Sequence, residues 1–428
     1  MTDTNNTSFE DAIYRKVSLR LMPLLFLAYI VAYLDRVNVG FAKLQMLSAL
    51  NLTDAIYGLG AGIFFFGYFI FEVPSNIFLH KVGARKWIFR IMISWGVLSG
   101  CMMFVTSATS FYIMRFLLGV AEAGFFPGII LYLTYWFPAQ RRGRATSMFL
   151  AAIAFAGIIG GPVSGWIMKM MDGTYGLQGW QWLFVIEAIP SLVMGFVILY
   201  CLDDRVADAK WLTDEERAVV AKNIEKDSEH KEEFSISKAL TSLSVWHMAL
   251  IYLCFVSGLY GISFWLPTII KAFGVTDTFD VGLISAIPWT FGVIAMFFAA
   301  KSADIRNERR WHAIGAGIAG AVGLSLSVVF HDNTVLSMAA LTLGTMGIMT
   351  SLPLFWALPT SFLTGTAAAA GIALINSIGN LSGFGAPYIM GLIKEATKST
   401  DSGVYLLAAM MLLGAFLVFL APKPNQNK

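Results

Sequence analysis

Charged residues are scarce in this sequence: Asp, Glu, Lys and Arg make up 13% of 428 residues. A soluble domain carries about 25% charge and about 45–50% apolar residues. Here the apolar share is 57%. Too little charge remains to cover a water-facing surface, so the chain is expected to be solvated by lipid. Acids and bases nearly balance, 27 against 30, which gives no basic face for nucleic acid. The three cysteines, Cys101, Cys201 and Cys254, lie in or beside apolar stretches without CxxC or metal spacing. They read as small apolar residues. The sequence has no GxxxxGK[ST] phosphate loop and no HExxH or GxSxG motif. ATP drive and intramembrane catalysis therefore have no sequence support. The five histidines (80, 230, 247, 312 and 331) fall in loops or at helix ends. Carboxylates are left as proton carriers, and no cofactor or metal is expected.

What is abundant is long apolar stretches. Crossing about 30 Å of hydrocarbon takes roughly 20 residues of helix. Such stretches recur twelve times, near 18–41, 57–79, 87–107, 110–136, 145–168, 182–202, 246–270, 281–300, 312–330, 334–356, 367–394 and 403–421. Each is predicted to be helical, because a segment in lipid must satisfy its own backbone polar groups. The polar start, residues 1–11, has no positive region, so the first stretch reads as a retained span. The fold class is an all-α membrane protein of twelve transmembrane helices.

With the first residues inside, the cytoplasmic segments hold 23 of the 30 Lys and Arg. The opposite side holds Lys43, Lys169, Lys271, Lys394 and Lys398. That asymmetry puts both ends in the cytoplasm. Arg36 and Arg115 remain, inside spans. The polar segment 203–244 divides the spans into halves 1–202 and 245–428. Its Thr213-Asp214-Glu215-Glu216 run predicts the capped start of a short surface helix. The halves also repeat. His80–Trp87 corresponds to Asp304–Trp311 at an offset of 224 residues, and the same offset carries Gly58-Leu59 onto Gly282-Leu283. Two parallel halves predict a site near the midplane, between them.

Charge in the bilayer core costs about 2.5–3.5 kcal/mol per residue even on lenient scales. Six such residues fall in the predicted spans: Asp35, Arg36, Glu72, Arg115, Glu122 and Glu187. Arg36, with Tyr33 one turn before it, is a planar fork suited to a carboxylate. Asp35 points about 100° away round the helix and is free to pair with a neighbouring helix. Arg115 and Glu122 lie two turns apart on one face of the fourth span. An Asp35–Arg115 pair is expected, with Glu122 deeper and placed to carry a proton. Glu72 and Glu187, each just before a proline, read as structural or gating acids. Asn376 and Asn380 form a polar face among glycines, for substrate hydroxyls or for packing. Gly157, Gly161 and Gly165 form a packing face. Tyr68, Trp356, Tyr260 and Trp265 could line a cavity or face core or lipid.

These residues also carry a resemblance. Tyr33-Leu-Asp35-Arg36-Val-Asn-Val-Gly-Phe-Ala42 and Arg115-Phe-Leu-Leu-Gly119-Val-Ala-Glu122-Ala-Gly-Phe-Phe-Pro127-Gly128 resemble the first- and fourth-helix signatures of the anion:cation symporter family, within the major facilitator superfamily. Gly179-Trp-Gln-Trp182-Leu-Phe-Val-Ile-Glu187 and Ala373-Leu-Ile-Asn376-Ser-Ile-Gly-Asn380 fit its sixth and eleventh helices. Bacterial porters of tartrate, sugar acids and hydroxyphenylacetate are the nearest in look. The resemblance implies import of a small organic carboxylate with protons by a monomer in a bacterial inner membrane. Arg36 would hold the carboxylate. Asp35 and Glu122 would carry protons, and Arg115 would pair with the acids. Tyr33, Tyr68, Trp356 and Asn376 would line the site. One departure is His80, where the superfamily has an acid that the second repeat keeps as Asp304. An uncoupled facilitator or exporter on the same fold is the alternative. A membrane sensor or enzyme is the alternative of another class.

Overall fold

A computed structural model describes residues 2–228, 242–356, 358–359 and 366–421. Helices dominate, and among the described residues eleven are long and apolar enough to cross a membrane. The first span is Thr2–Val37 continued by Val39–Ala49. The second to sixth are Asp54–Val82, Ala84–Cys101, Ala108–Glu122 with Phe125–Thr134, Ala139–Leu150 with Ala152–Met170, and Gly179–Cys201. The seventh to tenth are Leu243–Ala272, Thr278–Ile305, Arg310–Val329 and Thr334–Trp356, and the twelfth is Asp401–Leu420. The helix Thr366–Thr397 stands where the eleventh span is predicted.

The outside of the bundle is apolar. Phe66, Val73, Val97, Ile113, Phe297 and Phe298 are each at least half exposed. A soluble monomer does not expose apolar surface on this scale, but a lipid-facing one does. Short polar connections close both faces of the bundle. One face carries the segment after residue 202, where Thr213 and Glu216 cap the helix Asp214–Ser228. The Thr213 amide donates to Glu216 Oε2 at 2.8 Å, and the Glu216 amide donates to Thr213 Oγ1 at 3.2 Å. This is the helix start expected from the sequence. The rest of that segment, 229–241, lies outside the described residues.

Two helix pairs hold the bundle together at the other face. The second span packs on Thr366–Thr397, and the fifth packs on the eighth. Both approaches need glycine. A Cβ on Gly58 would stand 2.5 Å from the Pro387 carbonyl oxygen, and one on Gly282 would stand 2.4 Å from that of Gly161. Gly58 and Gly282 are the two positions that the repeat brings into register, so the repeated residues make equivalent contacts. Gly161 and Gly165 meet the eighth span in the same seam, which accounts for the small-residue face of the fifth span. The loops at His80 and Asp304 differ. Asp304 pairs with Arg309 at 2.9 Å, whereas His80 Nδ1 lies 2.9 Å from the Tyr135 hydroxyl.

Candidate substrate and ion site

The fourth span breaks where its carboxylate is needed. Its first helix ends at Glu122, Ala123 turns out of helical geometry, and Gly124 takes φ +87° before the helix resumes at Phe125. That left-handed conformation strains any residue with a Cβ. The break leaves Glu122 buried against the first span. There Arg36 donates to Glu122 Oε1 from Nε at 3.1 Å and from Nη2 in a shorter contact. Both partners are almost wholly buried. The guanidinium also lies over the rings of Tyr33 at 5.9 Å, Phe64 at 5.5 Å and Tyr68 at 5.5 Å. Charge-assisted hydrogen bonds and ring faces together hold a cation in a dry site.

The expected Asp35–Arg115 pair is not formed. Asp35 turns toward the third and sixth spans and is held by neutral donors. Trp95 Nε1 donates at 2.9 Å, Ser99 Oγ at 2.8 Å, and Ser191 Oγ also donates. The 100° offset from Arg36 is real, but the neighbours it finds are a tryptophan and two serines. Arg115 donates instead to the carbonyls of Gly60 at 3.3 Å and Ala61 at 3.4 Å. Its Nη1 is buried without a hydrogen-bond partner. The Phe64 ring separates the two arginines, with Arg115 5.0 Å from its centroid. The acid with an arginine partner is therefore Glu122, and that arginine is Arg36.

The other predicted lining residues divide. Tyr33 and Tyr68 surround Arg36. The Tyr33 hydroxyl also lies 2.9 Å from Ser263 Oγ on the seventh span. Trp356 belongs to a separate aromatic group, 4.8 Å from Tyr252 and 5.5 Å from Phe355. Asn376 is half-buried, one turn before Asn380. Asn380 Oδ1 accepts from the Tyr260 hydroxyl at 3.4 Å. Tyr260 stands within the field of Arg36, so it links the eleventh helix to the arginine site. Glu72 also lies within electrostatic range of Arg36. Among the described residues no cluster of His, Cys, Asp and Glu could hold a metal ion.

Lys43, counted with the charges of the side opposite the linker, is at that face but buried, 3% exposed. Its ammonium pairs with Asp54 at 2.7 Å and lies 4.5 Å from the Tyr57 ring centroid. Lys394 reaches the same Asp54 oxygen at 3.2 Å, and Glu395 accepts the Ala55 amide at 3.0 Å. This network closes the face opposite the linker. Hydropathy could not show it, because Lys394 and Glu395 come from the far end of the chain to meet Asp54 and Ala55.

Lipid-facing helices around a core of paired and hydrogen-bonded charges make a multi-span membrane protein. Comparison with known proteins gives its kind. The chain belongs to the Major Facilitator Superfamily, whose family model matches residues 25–387. It is thus a multi-pass membrane transporter and not an enzyme. It is 48% identical over 418 residues to a protein of Agrobacterium vitis named for tartrate transport, covering 97% of this chain and 92% of that protein. It is 42% identical over 415 residues to a protein of Acinetobacter baumannii named a quinolone resistance transporter, covering 96% and 95%. The fold matches a solved, partially occluded inward open conformation of the xylose transporter XylE from E. coli. The TM-score is 0.75 at 14% identity, over 96% of this chain and 99% of that one.

Proposed function

We propose that this transporter is a proton-coupled symporter that imports a small organic anion, either a hydroxy acid such as tartrate or a sugar acid. The observation that carries the reading is the buried Arg36–Glu122 pair inside the cage of Tyr33, Phe64 and Tyr68. One guanidinium faces two claimants, the Glu122 carboxylate and the carboxylate of a substrate. Removing one partner of a buried pair costs about 3–5 kcal/mol. Arg36 is therefore stable with Glu122 ionised and no substrate, or with Glu122 protonated and substrate bound. A bare guanidinium is costly, and so is one between two anions. That exclusion couples the proton to the substrate.

Asp35 is the second proton site in this reading, and Arg115 is the charge that steadies the fourth span while Glu122 changes state. Tyr33, Tyr68, Trp356 and Asn376 line the substrate's path as the halves 1–202 and 245–428 rock about the site, joined by 203–244. The name of the Agrobacterium vitis relative supports a tartrate-like substrate. The bacterial source of that relative supports an inner membrane, the positive-inside asymmetry supports both ends cytoplasmic, and a monomer is the working unit.

The test is uptake of labelled tartrate and aldonates into proteoliposomes under an imposed proton gradient. Gradient-driven accumulation that is lost in Arg36→Ala is the expected result. Uptake that ignores the gradient, or survives Arg36→Ala, overturns the reading. The second reading, an exporter or uncoupled facilitator, is favoured by the name of the Acinetobacter baumannii relative. It expects Glu122→Gln to leave net transport under a gradient intact.

A further inference from the structure

A second buried carboxyl lies away from the arginines. Glu187 on the sixth span is 5% exposed, and Asn38 on the first is 1% exposed. Ser164 Oγ donates to Glu187 Oε1 at 2.6 Å, while Oε2 has no hydrogen-bond partner. Both amide atoms of Asn38, which borders Glu187, lack partners as well. Unsatisfied buried polar atoms are destabilising, and here three stand together. Beside them is a cavity of about 20 Å³, lined by Tyr33, Asn38, Ser164, Ser263 and Ser285, which Glu187 meets through its neighbours Asn38 and Ser164 rather than by lining it. It has room for about one water molecule and polar partners to hold one. It lies between the two halves, and its Tyr33 also touches the Arg36 cage.

The charge balance around Glu187 leaves an acid uncompensated. The titratable neighbour facing it is Asp35 on the first span. The other polar groups packed here are neutral: Ser164 on the fifth span, Ser191 on the sixth, and Trp95 and Ser99 on the third. Among the described residues neither acid is paired with a lysine or arginine. Burial without a cation disfavours the charged form of a carboxyl, and a neighbouring acid adds to that. Asp35 accepts three hydrogen bonds, which suit the charged form. Glu187 accepts one and leaves an oxygen bare beside an amide whose donor and acceptor are both unsatisfied. An ionised Oε2 accepts from Asn38 Nδ2 and a protonated Oε2 donates to Asn38 Oδ1, so this amide serves the carboxyl in both states.

We propose that Glu187 is a further proton-carrying carboxyl of this transporter, loaded on Oε2 through the cavity that Asn38, Ser164 and Ser285 line. This rests on the symport reading above. Loading transfers a proton from a hydronium in the cavity to Oε2, leaving neutral water, and unloading is the reverse. The geometry thus adds one proton site to Glu122 in the arginine cage and to Asp35, the sequence neighbour of Arg36.

The full-length protein in proteoliposomes tests this with labelled tartrate as the probe. Wild type, Glu187→Gln and Glu187→Asp are compared for proton-to-tartrate ratio, for tartrate counterflow without a gradient, and for the infrared carbonyl band of protonated acids across pH. Glu187→Gln is expected to lower the ratio by one proton, keep counterflow near the wild-type rate and lose one titrating carbonyl band. Glu187→Asp is expected to keep the coupling with a shifted band, and it decides the matter if Glu187→Gln does not fold. An unchanged ratio, a parallel loss of ratio and counterflow, or no titrating band assignable to Glu187 overturns the proposal. If wild type moves no tartrate, the symport reading of that anion falls, and the infrared titration alone decides whether Glu187 takes up a proton.

Discussion

The Lys43 ammonium lies 3.3 Å from the centroid of the Trp265 ring, so a charge of the first span is seated on the seventh. Asp54 and Lys394 extend this contact to the second and eleventh helices. All these groups lie at the face opposite the linker, where the glycine seams also close. A desolvated cation–π contact is worth about 2 kcal/mol or more. Its loss shifts an equilibrium between closed and open forms of that face by roughly 30-fold. Lys43→Met should therefore populate the open form. Spin labels at Ser48 and Asp332, after serine replacement of the three native cysteines, should gain a longer distance. An unchanged distribution would show that Lys43 does not hold the face closed.

The Arg36–Glu122 pair gives a stability prediction independent of any substrate. Arg36→Ala leaves Glu122 buried and unpaired, at a cost of about 3–5 kcal/mol. Glu122→Gln leaves Arg36 with weaker acceptors and should cost less. Combining the two removes both charges, and the double variant should regain most of the stability lost in Arg36→Ala. Thermal unfolding of the purified proteins measures this. Additive losses would mean that the two groups do not depend on each other.

These residues show how far the sequence could be read. Asp35, Arg36, Arg115 and Glu122 stood out because charge in lipid is costly, and all four are buried. Their pairing was not legible. Which acid meets which arginine depends on the break at Gly124 and on side-chain directions across four helices. Lys43 was not legible as buried for another reason. It lies near a helix end, where a lysine normally reaches water, and Trp265, which covers it, comes from a different half of the sequence. Ser99, Ser191 and Trp95 carried no signal, since serine and tryptophan are ordinary in spans. Only the acid they hold marked the place. The glycine seam was legible in part, because Gly58 and Gly282 share the repeat offset.

That seam makes its own prediction. Alanine at Gly58 or Gly282 places a methyl 2.5 Å or 2.4 Å from a backbone oxygen that cannot rotate away. The helices must separate, and overpacking of this kind costs about 1–3 kcal/mol. Either substitution should open the face opposite the linker. The two should resemble each other more than either resembles Gly315→Ala, where the added atom meets nothing within 4 Å. The same spin-label pair reads the outcome. If Gly58→Ala shifts the distances and Gly282→Ala does not, the two seams are not equivalent.

A last prediction concerns the linker helix Asp214–Ser228. Lys16 donates to Glu216 Oε2 at 2.7 Å and ties this helix to the first span. The Lys16 hydrogen bond, helped by the Thr213 amide, holds the Glu216 carboxyl below its ordinary range. A carboxyl lowered in the folded state adds stability above its unfolded pKa, and that stability is lost as pH falls through the lowered value. Docking of the helix should therefore be constant near neutrality and weaken in acid. The pair is partly exposed, so the effect stays under about 1 kcal/mol, or roughly fivefold in an equilibrium. Glu216→Gln should reproduce the acid state at neutral pH, with amide exchange across 214–228 faster by up to that factor. Protection in Glu216→Gln equal to wild type would show that Lys16–Glu216 does not dock the helix.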